Sequence, residues 1–101
     1  QELHTVAEVA VNFDDELPAY GTSGGCHRNG NRVTAPVIMW VESVEKVLDK
    51  LKTAPGFPGF GAIAAIGTSA QQHATVYWAT GAEQTLKELT VGRPLVQQLS
   101  E

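Results

Sequence analysis

The sequence predicts an α/β fold, a mixed sheet with flanking helices, on three observations. Residues 3–13 alternate apolar and polar, residues 37–51 repeat apolar side chains at helical spacing, and residues 62–66 are continuously apolar. A period of two marks a half-buried strand, a period near 3.6 an amphipathic helix, and a short unbroken apolar run a strand covered on both faces. Helix followed by buried strand is half of an α/β unit, so the sheet is expected to be mainly parallel at that point.

Composition narrows the class. With 101 residues the chain has room for one compact unit and not two. Hydrophobic residues make up 43% and charged residues 18%, the balance of a globular rather than a disordered protein. The net charge is −4 and the seven Lys and Arg are scattered, which argues against nucleic acid as a partner. No apolar run approaches the ~20 residues that span a bilayer, and no basic start with an apolar stretch marks a signal peptide. The expectation is a cytoplasmic protein without a membrane partner. Cys26 is the single cysteine, which leaves no internal disulfide and fits a reducing compartment. The chain begins at Gln1, is in an expected strand by Leu3 and stops at Glu101 in an expected helix. A piece of a longer protein is therefore expected.

In the first strand Leu3, Thr5, Ala7, Val9, Val11 and Phe13 share one face. Asp14-Asp15-Glu16 and Pro18 follow as a solvated turn; paired acids can hold a metal, but no third ligand stands near. Residues 20–33 are rich in Gly, Ser and Asn and read as a loop. Cys26 and His27 adjoin within it, yet adjacent side chains in an extended segment point apart, which is poor geometry for a nucleophile and its base. Thr34 is the expected cap of the main helix, with Pro36 in its first turn. Val37, Trp40, Val41, Val44, Leu48 and Leu51 form the expected buried stripe. On the outer side Glu42 and Lys46 are spaced as an i, i+4 pair. Residues 55–61, rich in Gly and Pro, break the helix; they follow a helix and precede a strand, the reverse of a phosphate-binding loop. A short strand over 75–78, a helix over 82–89 and an amphipathic turn or two over 95–99 complete the chain.

Chemistry concentrates after Ile66. Thr68, Ser69, Gln71, Gln72 and His73 lie just beyond the C-terminal end of the expected 62–66 strand, the position at which open α/β sheets bind ligands. Amides and an imidazole can each donate and accept, which suits the hydroxyls of a polyol or sugar; the same groups can equally satisfy loop backbone. Ser69 and His73 stand four apart with no acid nearby and no nucleophile-elbow pattern, so a hydrolase triad is not indicated. His4, His27 and His73 show no ligand spacing, and no metal site is expected.

Ala65-Ile66-Gly67-Thr68-Ser69-Ala70-Gln71-Gln72-His73 resembles the strand and loop of the FGGY carbohydrate kinases, roughly Gly-Ile-Ser-Gly-Gln-Gln/Met-His-Gly. Phe13-Asp14-Asp15-Glu16-Leu17-Pro18 before a Gly-Gly loop, the Pro36-Val37-Ile38-Met39-Trp40 helix start and Tyr77-Trp78 occur in the order of a eukaryotic ketose-phosphorylating branch of that family. The resemblance implies a ribonuclease-H-like, actin-like ATPase fold, with residues 1–101 as part of the N-terminal domain. The first strand and the second domain would lie outside this stretch. It implies that His73 contacts a ketose and that Gln72 is a second contact or a pocket wall, with no catalytic residue and no metal ligand here. ATP and Mg²⁺ would serve the full-length parent and are not expected to bind these residues alone. The implied partners are the sugar and the remainder of the kinase chain. Ala70 and Ala74 stand where the family pattern has glycines, which alters the loop beside the sugar. The competing expectation is a non-catalytic α/β binding or interaction module that uses the same loop.

Overall fold

The computed structural model describes residues 2–99. Residues 2–12 run extended without a ladder partner, and the expected first strand is therefore not formed. Its alternation survives in the burial: Ala7, Val9, Val11 and Phe13 are half-buried while Glu8, Ala10 and Asn12 are exposed. Lysines of the long helix bond to this segment and to the turn that follows it. Lys50 Nζ donates to the Ala10 carbonyl at 2.6 Å and Lys46 Nζ to the Glu16 carbonyl at 3.0 Å.

The acidic stretch read as a turn is a single helical turn, α1 (Phe13–Glu16). Asn12 caps it, its Oδ1 accepting from the Asp14 and Asp15 amides at 3.0 and 3.1 Å. Glu16 Oε2 reaches back to accept from the Asn12 amide at 2.7 Å, a reciprocal arrangement related to a capping box. A 3₁₀ turn over Pro18–Tyr20 follows and closes at Gly21 in the left-handed region.

The stretch expected to be loop carries the sheet that the described residues contain. Strands β1 (His27–Asn29) and β2 (Arg32–Thr34) pair antiparallel with Arg28 opposite Val33. Gly30 at φ 60° takes the first central position of the two-residue turn, where a type II′ hairpin requires glycine. Thr34 thus belongs to β2 rather than to a helix cap. Helix α2 (Val37–Lys52) starts after Pro36, whose extended φ/ψ ends the strand and whose side chain offers no cap.

Helix α2 buries its expected inner stripe only in part, with Trp40, Val41 and Leu51 half-buried. Met39 is fully buried, whereas Val37, Val44 and Leu48 of the expected inner stripe are 40%, 56% and 43% exposed. Met39, Glu42, Ser43, Lys46 and Lys50 lie along one face at helical spacing, and this face meets the N-terminal segment. The expected Glu42–Lys46 pair is absent because both side chains are engaged elsewhere. Leu17 and Met39 are the buried apolar residues of this small core.

Beyond α2, a second 3₁₀ turn spans Phe60–Ala62, and no strand forms over 62–66 or 75–78. A strand is stable only with a hydrogen-bonded neighbour, and no described residue pairs with either segment in a ladder. Residues 61–81 are exposed throughout, Ile66 at 83% and Tyr77 at 90%. Helices α3 (Ala82–Lys87) and α4 (Leu95–Leu99) close the chain, and α4 packs on α2. Glu45 Oε1 joins them by accepting from the Leu95 amide at 2.7 Å. The architecture is thus mixed α/β, with a small antiparallel hairpin in place of the expected, mainly parallel sheet.

Candidate functional site

Gln72 and His73 sit at the tip of an exposed turn between the two apolar segments. Of the pair only His73 has positive φ, at 62°, the sign pattern of a type II turn with His73 at the position that usually takes glycine or asparagine. Thr68, Ser69 and Gln71 share the same exposed loop, so the structure brings together the polar residues that the sequence groups after Ile66. Tyr77 and Trp78 follow within a few residues, Trp78 lining an open groove of about 720 Å³ with Pro36, Val37 and Val41 of the α2 region.

The other candidates stand apart from this turn. His27 lies on β1, its Nε2 hydrogen-bonded to the Tyr20 carbonyl at 2.7 Å. Cys26 is half-buried, and its Sγ donates to the Ser23 carbonyl at 3.5 Å, in a turn whose central residues are Gly24 and Gly25. Arg28 is exposed on the hairpin. Among the described residues no three His, Cys, Asp or Glu side chains gather as a metal site.

Reasoning from sequence missed the polar framework that centres on Asp14. Its carboxylate accepts from the Thr22 hydroxyl at 2.7 Å, the Gly24 amide at 2.6 Å and the Gly25 amide at 3.1 Å. Both glycines have positive φ, 62° and 73°, as a type I′ turn requires, and this turn points their amides at one acceptor. These bonds, Thr22 foremost, hold the Asp14 pKa below its ordinary value. The available signal was Gly24-Gly25 itself, an adjacent pair able to adopt that turn. Glu16 is held below its ordinary value first by its bond from Lys50, with which it forms an ion pair, then by the Asn12 amide. Tyr20 donates to Glu42 Oε2 at 2.5 Å, and this bond, aided by burial, pushes the phenol up to about 12.

Asp14, Glu16 and Glu42 each accept from donors within the chain, Asp49 pairs with Lys52 and Glu83 with Lys87.

No family model matches the chain. It is 44% identical over 100 residues to the xylulose kinase of Mus musculus, which covers 97% of this chain and 18% of that protein. Xylulose kinase 2 of Arabidopsis thaliana is 37% identical over 100 residues, 96% of this chain and 18% of that protein. The xylulose kinase of Saccharomyces cerevisiae is 38% identical over 89 residues, 88% of this chain and 14% of that protein. An α/β segment with an exposed polar turn is thereby similar in sequence to a short part of these kinases. Its relatives are, in particular, the xylulose kinases of animals, plants and fungi, and the chain spans under a fifth of their length.

Proposed function

We propose that residues 1–101 belong to an ATP-dependent kinase that converts D-xylulose to D-xylulose 5-phosphate, and that they supply part of its sugar pocket. The observation that carries this is 44% identity to a xylulose kinase over a span that takes in Gln71-Gln72-His73. In this reading the stretch is part of a ribonuclease-H-like N-terminal domain of the FGGY kinases, completed by chain outside these residues. ATP, Mg²⁺ and the base that deprotonates the sugar hydroxyl belong to that remainder; Asp14 and Glu16 are engaged by donors within this stretch.

His73 is the sugar contact and Gln72 its neighbour on the pocket wall. A neutral imidazole accepts from one hydroxyl and donates to another, so it orients a polyol without exchanging protons with it. Fixing the ketose in a reactive pose is the contribution such a residue makes to phosphoryl transfer. Exposure of the turn leaves both side chains free to meet a ligand.

Calorimetric titration of the whole protein with D-xylulose tests this. Loss of one charge-neutral hydrogen-bonding contact costs about 0.5–1.5 kcal/mol, more where a partner is stranded, so His73→Ala weakens binding by about tenfold. Unchanged affinity in His73→Ala removes the sugar-contact assignment. Binding by the wild type without ATP turnover favours the non-catalytic binding module instead.

A further inference from the structure

Among the described residues His73 is the one non-glycine with positive φ, at 62°. Elsewhere the chain assigns that conformation to glycine, at eight positions from Gly21 to Gly92. Gly67, the glycine of the polar loop, is not used for it. An imidazole therefore occupies a backbone site that this chain otherwise reserves for a residue without Cβ. Residues in unfavourable backbone regions persist where surrounding structure enforces them, and they cluster at ligand sites. Yet residues 64–78 make no hydrogen bond, backbone or side chain, with any other described residue. Nothing described within the chain holds the turn in its left-handed form.

We infer that the left-handed backbone at His73 is a positioning device for the ketose, so that the turn and not the imidazole alone sets substrate affinity. The inference rests on the sugar-contact reading above. The turn reverses the chain at Gln72-His73 and presents the imidazole from its apex, with Ala70 and Ala74 keeping the flanks small. Backbone amides of an outward turn are then free to meet sugar hydroxyls beside the ring nitrogens.

Two substitutions separate backbone from side chain. His73→Gly and His73→Ala both delete the imidazole, but only glycine accepts positive φ without penalty. In the whole protein His73→Ala raises KM for D-xylulose about tenfold, and His73→Gly, which loses the imidazole but relaxes the backbone, retains about tenfold more kcat/KM than His73→Ala, the scale of the left-handed penalty on an L-residue. Equal values, or Ala above Gly, overturn the inference while leaving the contact assignment intact. Wild-type KM in both variants overturns the contact reading itself. Thermal melts of each variant exclude a folding effect. Should His73→Ala fail to fold, His73→Asn replaces Gly and His73→Gln replaces Ala, because asparagine tolerates left-handed backbone; Gln equal to or better than Asn is then the contradicting result.

Discussion

Asp14 accepts from Thr22, Gly24 and Gly25, eight to eleven residues along the chain, and this geometry sets a pH dependence. Because folding lowers its pKa, its contribution is complete above the unfolded carboxylate value and is lost as pH falls through the folded one. Glu16 has the same sign. Hydrogen exchange at the Gly24 and Gly25 amides, corrected for intrinsic rates, reads this directly. Protection falls with acidification in the wild type and is lost at neutral pH in Asp14→Ala; retained protection in that variant contradicts the assignment. Tyr20 has the opposite sign. Its bond to Glu42 raises it to about 12, so its contribution is complete below the ordinary phenol value and is lost as pH rises through about 12. Tyr20→Phe removes roughly 1 kcal/mol at neutral pH and with it the alkaline loss; a wild-type alkaline limb in Tyr20→Phe is the contrary outcome. Gly25→Ala combines a φ of 73° with a new Cβ 2.8 Å from Phe13 Cδ2. The backbone penalty alone is about 1–2 kcal/mol, measurable as a lowered denaturation midpoint.

Helix α2 shows how far periodicity reaches. The apolar repeat located the helix and its extent over Val37–Lys52, because spacing is a property of the local chain. It missed the most buried position and overstated the cover of the stripe, because what covers a stripe is decided by elements far away in sequence. Met39 is off the stripe and is buried by the N-terminal segment, while Val44 is on it and 56% exposed. The same limit explains residues 62–66: an unbroken apolar run announces a preference for burial, and the described residues contain no strand to pair with it. The Asp14 framework was illegible for a related reason, since a carboxylate and its donors ten residues apart leave no periodic trace. By contrast, the polar turn at Gln72-His73 was legible, although its left-handed backbone was not. Met39→Ala is expected to cost about 2–5 kcal/mol in any context. Val44→Ala changes the isolated chain by less than about 0.5 kcal/mol. In the whole protein, where the proposed domain covers the stripe, the Val44→Ala cost rises toward that of a core truncation. Denaturant midpoints in both contexts decide this, and an equally harmless Val44→Ala in the whole protein argues that the stripe stays open.

At the scale of the molecule the radius of gyration is 16.2 Å, against about 13 Å for a compact domain of 100 residues. Exposed apolar side chains include Ile63, Ile66, Val76, Tyr77 and Trp78, all in or beside the apolar segments that flank the polar turn. Surfaces of this kind mark interfaces. The 101 residues alone are expected to melt broadly or self-associate, by scanning calorimetry with light scattering; a sharp, monomeric, two-state melt contradicts this. The fold around the turn and its function are thus one question, because the segments that present His73 are those left uncovered. Coupled ATP turnover by the whole protein with D-xylulose answers it most directly, measured beside His73→Ala. The account predicts sugar-dependent turnover whose KM for D-xylulose rises about tenfold in the variant, and no turnover by residues 1–101 alone. Absence of D-xylulose-dependent turnover in the whole protein, or turnover by the 101 residues alone, contradicts it.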